Sequence, residues 1–266
     1  MSGDKVNLEF PLTLRTEAIK DDRKEYSSIQ AILYGPYLLA GLSMGDWDIE
    51  IGQPSSPLNW ITPIPADYNS NLISLTQDSK NTTMVLINSN NTIKMEKYPE
   101  SGTDSAVAAT YRLVTKSKKG RKYAGRKQPA IGEEVMLEPF DLPGMFVVHQ
   151  GEDEGLRVAD SSDDNDSSGF LLVAGLDGKN GSVSLESASN KGCYIYNSDG
   201  NIKLSCNTKS STSTTFMQGA SFEMQPGISE YHPISFIAKG ANRSFQLAPL
   251  LSLRDESYTV YFNIQS

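Results

Sequence analysis

The sequence has 266 residues, 38% of them hydrophobic, and a formal net charge of -8. That length suffices for two ordinary domains, and the hydrophobic content is typical of a globular protein rather than a disordered one. The negative charge argues against nucleic acid as a partner, because phosphate binding needs a basic face. No apolar stretch is long enough to cross a membrane, so none is predicted to do so.

Short strands separated by turn residues dominate the sequence. Residues 83–87, 109–114 and 258–262 are rich in β-branched and aromatic side chains, and Gly, Asn, Asp, Ser and Pro bound such runs along the chain. No long stretch shows the 3.6-residue periodicity of an amphipathic helix. The pattern predicts an all-β protein.

Residues 116–131 form a basic stretch between two strand-rich halves, with five lysines and two arginines between 116 and 127. Like charges extend a chain and oppose packing, so we interpret these residues as a solvated linker. A basic patch for a polyanion such as pectin is the alternative.

An internal repeat follows the linker. Residues 135–148, 183–196 and 234–247 align without gaps, and each reads as strand, turn and strand with an aromatic residue in the second strand. One copy alone could not bury its apolar face, so the three should share a core. Three copies favour a closed three-fold architecture, a β-trefoil, over residues 132–266. We expect the aligned residues Leu137, Leu185 and Phe236 to meet in its core.

Two features bear on the cellular compartment. Cys193 and Cys206 are too few for a disulfide framework or a thiolate metal site, and either form one bridge across a hairpin or are two buried apolar residues. Five Asn-x-Ser/Thr sequons, which permit a secretory origin, occur at Asn81, Asn90, Asn165, Asn180 and Asn242. The N-terminus as given shows no signal peptide.

The repeat also carries a family resemblance. Residues 170–176 read FLLVAGL, 183–187 read VSLES, and 143–149 read PGMFVVH. These residues resemble the arabinofuranose-binding trefoil of fungal α-L-arabinofuranosidases, the family 42 carbohydrate-binding module. The resemblance covers residues 133–266 and implies that this part is an arabinose-binding β-trefoil.

The first half resembles a different family. Residues 10–17 read FPLTLRTE and 31–41 read AILYGPYLLAG, which is similar to the C-terminal β-sandwich of plant family 127 glycoside hydrolases, the β-L-arabinofuranosidase family. Residues 60–65, 100–104 and 250–258 also fit that plant group. The resemblance implies an antiparallel β-sandwich over residues 1–115, followed by the linker and the trefoil.

The resembling enzymes place their chemistry in a helical barrel before the sandwich, with a cysteine nucleophile on a zinc site and a glutamate acid/base. No position here matches those residues, so we predict no catalytic residue, no metal and no cofactor. The chain is expected to be inactive alone.

The resemblance implies a sugar site in each lobe, formed by a His after the aromatic strand and an Asp before the next Phe strand. His and Asp together can donate to and accept from the hydroxyls of a furanose. The first repeat keeps His149 and has Asp166 one position out of register, with Asp163 and Asp164 nearby. The second repeat has Asn197 and Gly219 at those places. We therefore predict sugar binding at His149, Asp163, Asp164 and Asp166; the alternatives are a solvent-facing His on a hairpin and a solvated acidic loop.

Three functions remain open from the sequence. The leading interpretation is a non-catalytic region that holds an arabinofuranosidase-like enzyme on arabinose-containing cell-wall polysaccharide or oligosaccharide, with a catalytic barrel as a further partner. The second is an α-L-arabinofuranosidase of L-arabinose metabolism, as family labelling would imply. The third is a structural tail that packs on a barrel and binds no sugar. The resemblance implies a secreted parent enzyme, in the cell wall or vacuole.

Overall fold

The computed structural model describes residues 12–265 except 22, 52–55, 80, 116–130, 161–166, 208–212 and 241. Regular structure is nearly all β, which confirms the predicted class. Within these described ranges, no helix has the length and apolarity needed to cross a bilayer. The described residues fall into two compact units: unit 1, within 1–63, 234–253 and 257–266, and unit 2, within 64–233 and 254–256.

Unit 1 is a branched β-sheet. Its strands are β1 (Leu14–Ala18), β2 (Ile29–Tyr34), β3 (Tyr37–Leu42), β4 (Asp48–Glu50), β5 (Ile61–Pro63), β18 (Phe236–Lys239), β19 (Ser244–Pro249), β20 (Tyr258–Thr259) and β21 (Tyr261–Gln265). Their order in the sheet is β4-β21-β2-β3-β19-β18-β5, and β1 also pairs with β2 and β20 with β3. All these pairs are antiparallel except β4 with β21, which is parallel. The buried side chains include Ile32, Leu39, Phe245, Leu247 and Phe262.

The described residues of unit 2 form twelve strands, two short α-helices and a 3-10 helix at Ala66–Asn71. The strands are β6 (Leu72–Ser79), β7 (Thr82–Ser89), β8 (Thr92–Lys97), β9 (Tyr111–Thr115), β10 (Glu134–Pro139), β11 (Met145–Val148), β12 (Arg157–Asp160), β13 (Phe170–Ala174), β14 (Ser182–Ser187), β15 (Cys193–Ser198), β16 (Asn201–Cys206) and β17 (Phe222–Pro226). The α-helices are α1 (Asp104–Ala108) and α2 (Thr214–Gly219), capped at their N-termini by the side chains of Thr103 and Ser213.

Six of these strands close a barrel. Antiparallel pairing runs from β6 to β9, β10, β13, β14 and β17 and returns to β6, so no edge is left among the six. The other six form three hairpins, β7–β8, β11–β12 and β15–β16. Three four-strand lobes around one closed barrel make a β-trefoil. We call them lobe 1 (72–115), lobe 2 (134–174) and lobe 3 (182–226).

The strand registers reveal the pseudo-three-fold symmetry. Ile73 pairs with Tyr111, Val135 with Phe170 and Val183 with Phe222. Two residues further along the first strand of each lobe is a fully buried leucine, and these leucines are Leu75, Leu137 and Leu185. Each lobe therefore contributes the same apolar pattern to a shared core, as a trefoil requires.

The prediction that Phe236 is the third member of the core triplet was wrong. Leu137 and Leu185 do share the trefoil core, but the third partner is Leu75, whereas Phe236 is buried in the core of unit 1. Phe236 lies on β18, which pairs with β5 and β19. The hairpin 234–247 has the apolar alternation of a trefoil hairpin, but its backbone hydrogen bonds go to the other sheet.

The observed units also differ from the predicted segments 1–115, 116–131 and 132–266. Residues 72–115 supply lobe 1 of the trefoil, and residues 234–253 belong to unit 1. Residues 116–130 of the predicted linker lie outside the described residues. The predicted order of a sandwich followed by a trefoil is thus replaced by a trefoil that lies in sequence between two parts of the other unit.

Two local features of the repeat match its sequence. In lobe 2, Glu138 Oε1 accepts a hydrogen bond from the backbone N of Gly144 at 2.8 Å, and in lobe 3 the aligned Glu186 Oε1 accepts from Gly192 at 2.7 Å. Both glycines have a positive φ, of 90° and 82°, which glycine adopts without strain. A glutamate six residues before a glycine therefore closes the connection between the first and second strands of both lobes.

Candidate functional site

Because of the pseudo-three-fold symmetry, the position of the predicted site residue His149 has an equivalent in each of the other two lobes. Val147 pairs with Val158 in lobe 2, Leu86 with Met95 in lobe 1 and Ile195 with Leu204 in lobe 3. Two residues beyond the first member of each pair lie His149, Asn88 and Asn197, respectively. The three lobes thus carry His, Asn and Asn at one structural position, and only lobe 2 offers an imidazole there.

His149 is buried between lobes 2 and 3, with 6% of its surface exposed. Its Nε2 lies 2.8 Å from Ser187 Oγ and 3.2 Å from Ser189 Oγ. The backbone N donates to Ser167 O at 3.1 Å, and the ring meets Phe170 edge-on. Nδ1 is buried and has no hydrogen-bond partner among the described residues. The alternative of a solvent-facing His is therefore wrong.

Burial also fixes the charge of this histidine. Loss of hydration disfavours the imidazolium and lowers the pKa of His149 below its ordinary value of 6.5. At neutral pH the ring is therefore uncharged, with one nitrogen that donates and one that accepts. Such a ring can pair with hydroxyl groups, which also both donate and accept.

The predicted acidic partners Asp163, Asp164 and Asp166 lie in the segment 161–166, outside the described residues. The structure therefore does not test whether they meet His149, and their role stays a prediction. Asp160, the last residue of β12, is exposed. Within the described part of the chain, no group of three His, Cys, Asp or Glu side chains is placed to hold a metal ion.

In lobe 3 the position that corresponds to the predicted acidic partner is Gly219, and aromatic side chains pack against it. Phe216 on α2 stacks on Tyr196, with ring centroids 5.3 Å apart and planes inclined by 12°. A Cβ atom at Gly219 would lie 2.5 Å from the Tyr196 ring. Gly219 is thus needed for the helix to approach the ring, which explains why this position carries no side chain in lobe 3.

A polar cavity of about 720 Å³ lies between lobes 1 and 3. Gln77 forms part of its wall and joins the two lobes. The Gln77 Nε2 donates to the carbonyl oxygens of Gly219 and Ser221 at 3.1 and 2.7 Å, and its Oε1 accepts from Asn197 Nδ2 at 2.8 Å. Asn197 Oδ1 in turn accepts from the backbone N of Gly200 at 2.7 Å. These bonds hold the wall in one arrangement without a ligand.

Carboxylates line the same cavity. Asp78, Asp199 and Glu223 are exposed there, and the ammonium of Lys179 lies 3.6 Å from Asp177 Oδ2. A second cavity of about 590 Å³ shares Asp78 and Glu223 with the first and adds the ring of Tyr98. Carboxylates that accept from hydroxyls beside an exposed aromatic ring are the groups with which proteins bind neutral sugars. We call the two cavities together the lobe 1–3 groove.

The sequence does not predict this groove, because half of it comes from lobe 1, which the family resemblance assigns to the sandwich. One signal was present. The alternation of Ile73 and Leu75, with the aromatic Tyr111 further on, repeats the Val135, Leu137 and Phe170 pattern of lobe 2. Lobe 1 has one residue more between Ile73 and Leu86 than lobe 2 has between Val135 and Val147, so an ungapped comparison passes over it.

The comparisons with known proteins bear on lobes 2 and 3. Residues 135–246 match the family described as the alpha-L-arabinofuranosidase B (ABFB) domain. The match begins in β10, covers lobes 2 and 3, and extends into β18 and β19 of unit 1. The matched residues make up somewhat less than half of the chain. A comparison with curated proteins finds no match.

Three solved structures are partly similar. A GH54 α-L-arabinofuranosidase soaked with a cyclic sulfate inhibitor is 19% identical at a TM-score of 0.47, covering 63% of this chain and 33% of that one. An arabinofuranosidase complexed with arabinofuranosyl-α-1,2-xylobiose is 18% identical at 0.46, covering 74% and 34%. The Haemophilus ducreyi cytolethal distending toxin is 19% identical at 0.40, covering 64% and 90%. The chain thus spans about a third of the two arabinofuranosidases.

Proposed function

We propose that this chain is a non-catalytic carbohydrate-binding region that recognises arabinofuranosyl groups on polysaccharides or oligosaccharides. The AbfB match over residues 135–246 is the observation that carries the proposal. The finer proposal is that the region belongs to an arabinofuranosidase-like glycoside hydrolase related to plant family 127 and holds that enzyme on arabinose-containing cell-wall polymers.

His149 is the proposed centre of arabinofuranose recognition. Its neutral ring can donate one hydrogen bond and accept another, and Nδ1 has no partner among the described residues. Nδ1 carries an uncompensated desolvation cost, and a sugar hydroxyl that displaces the groups covering this atom would satisfy it. Asp163, Asp164 and Asp166 are the proposed carboxylate acceptors for the remaining hydroxyls of the same sugar.

The lobe 1–3 groove is a proposed second contact for the glycan. Its wall is fixed by Gln77 and Asn197 before any ligand binds, so little order has to be imposed on binding. Asp199 and Glu223 can accept hydrogen bonds from sugar hydroxyls. Two contacts on different faces of one trefoil suit a branched polymer, because a second contact raises avidity without a stronger single site.

The proposal of no catalysis has a structural support. Cys193 and Cys206, the two cysteines of the sequence, are joined in a disulfide. The thiolate is the nucleophilic form of cysteine, and a bridged cysteine cannot supply one. The cysteine chemistry of the resembling enzymes therefore has no counterpart among the residues of this chain.

Titration with arabino-oligosaccharide, followed by NMR shifts and calorimetry, tests the proposal. Wild type should bind with a Kd of about 1 mM, since a small polar site makes few contacts against the cost of ordering the sugar. His149→Asn, which installs the residue found at this position in lobes 1 and 3, should weaken binding about tenfold or more. Asn88→Ala, at the equivalent position of lobe 1 and outside the groove, is the matched control and should bind as wild type.

The other functions are outcomes of the same titration. Loss of binding in Asp199→Asn or Glu223→Gln but not in His149→Asn would move the site to the lobe 1–3 groove. No shift at saturating sugar would favour the structural tail. Turnover of an aryl arabinofuranoside that disappears when one acid of this chain is changed would replace the proposal with the enzyme.

A further inference from the structure

Asparagines of the N-glycosylation pattern lie at the turns between strands. Four of the five sequons fall on described residues: Asn81, Asn90, Asn180 and Asn242. They join β6 to β7, β7 to β8, β13 to β14, and β18 to β19, respectively. All four asparagines are exposed, and none lies within a strand. A bulky polar glycan can therefore be attached at each without displacing packed side chains.

The disulfide is an independent observation on the compartment. Cys193 and Cys206 face each other across the β15–β16 hairpin and are bonded. Structural disulfides persist in oxidising compartments such as the secretory pathway, which is also where sequons are glycosylated. From these two observations we propose that this protein is N-glycosylated in the secretory pathway, with Asn90 as the principal acceptor.

Asn90 is favoured because its whole acceptor tripeptide is exposed and, among the described residues, the hydroxyl of Thr92 is not held in a hydrogen bond. Asn90 and Asn91 form the two-residue turn between β7 and β8, with φ of 51° and 60°, and both are exposed together with Thr92. Asparagine tolerates this left-handed conformation better than most residues, so the turn itself accounts for an asparagine here. It does not account for the hydroxyl at Thr92.

At two of the other described sequons the hydroxyl is engaged or covered, and at the third, Asn242, the hydroxyl belongs to the half-buried Ser244 within β19. Thr83, two residues after Asn81, donates to Asp78 Oδ1 at 2.9 Å. Ser182, two residues after Asn180, is buried and donates to Asp177 Oδ1 at 2.6 Å. Once the trefoil has folded, these hydroxyls are less available to a transferase than that of Thr92. Occupancy should therefore be highest at Asn90.

The reaction needs a lipid-linked oligosaccharide as the second substrate. The side-chain amide nitrogen of Asn90 forms a bond to C1 of the first sugar of that oligosaccharide, and the bond from this C1 to the diphosphate oxygen breaks. The lipid diphosphate leaves with the electron pair, and the amide nitrogen loses one proton. The product is neutral at Asn90, so the charge of the turn does not change.

The test is the occupancy of each sequon in the protein isolated from its native cells. Enzymatic release of N-glycans in H2(18)O converts each occupied asparagine to labelled aspartate, which mass spectrometry assigns by residue. We expect label in most molecules at Asn90 and less at Asn180. Asn91 is the internal control, because it shares the turn and the exposure but is followed at the second position by Ile93, and it should stay unlabelled.

Variants secreted from cultured mammalian cells separate the sequon from the turn. Thr92→Ser keeps the sequon and should keep the glycan, whereas Thr92→Ala removes the sequon without changing either turn residue and should lose it. Asn90→Asp, which also tolerates the left-handed turn, should lose it too. Native protein without label at Asn90, or equal occupancy of Asn90 in Thr92→Ser and Thr92→Ala, would overturn the proposal.

Discussion

The division of the chain into units predicts which fragment folds alone. A fragment of residues 64–233 contains all three lobes and can close the barrel. A fragment of residues 132–266 lacks lobe 1, so β10 loses its partner β9 and β17 loses its partner β6. It would instead carry the β18–β19 hairpin, whose sheet partners β3 and β5 are absent from the fragment.

The size of this effect follows from the buried side chains of lobe 1. Ile73, Leu75, Tyr111 and Leu113 are each at most 3% exposed in the shared core. At about 1.5–3 kcal/mol for each large apolar side chain, their loss removes about 6–12 kcal/mol. The whole stability of a typical domain is about 5–15 kcal/mol, so residues 132–266 should not fold.

Urea unfolding followed by circular dichroism, together with the dispersion of amide NMR signals, measures this directly. Residues 64–233 should give dispersed signals and one cooperative transition, and residues 132–266 should give neither. Leu75→Ala in the larger fragment should cost about 3–5 kcal/mol, as should Leu137→Ala, because the two side chains are equivalent. A cooperatively folded fragment 132–266, or a Leu75→Ala variant as stable as wild type, would refute the lobe assignment.

Three further predictions concern single sites. Replacing both Cys193 and Cys206 by alanine should lower the free energy of unfolding by about 3 kcal/mol, because the bridge closes a loop of 13-residue separation; reductant should have no further effect on that variant. As pH falls below the ordinary His value of 6.5, the unfolded state should bind a proton that buried His149 resists, so stability should fall until the folded-state pKa is passed. Urea titrations at several pH values should show a smaller decline for His149→Asn. Arg112→Met should cost about 3–5 kcal/mol, because it strands the buried Glu138 carboxylate that Arg112 binds at 2.5 Å; a double variant with Glu138→Gln should recover part of the loss in the same denaturant assay, and additive losses would contradict this.

Only part of the candidate site could be predicted from the sequence. His149 could be selected because histidine is rare in this chain and follows a repeated aromatic strand. The burial of His149 and its hydrogen bonds to Ser187 and Ser189 could not be predicted from the sequence, since those serines come from another lobe. The lobe 1–3 groove depends likewise on Gln77 reaching carbonyl oxygens more than 140 residues away along the chain.

What the sequence determined by itself is local. Alternating apolar residues bounded by turn residues set the all-β class. The Glu138–Gly144 and Glu186–Gly192 spacings set two equivalent turns, because both features depend on neighbours along the chain.

Which strands pair was decided only by the tertiary structure. Residues 72–79 and 236–239 both place alternate apolar side chains in a core, Ile73 and Leu75 in one and Phe236 and Ala238 in the other, and either strand could in principle complete a barrel beside lobes 2 and 3. The backbone hydrogen bonds of β6 to β9 and β17 complete the barrel, while β18 pairs in the other sheet. Backbone pairing is available to every strand alike, so the choice of partner rests on packing between residues that are distant in sequence.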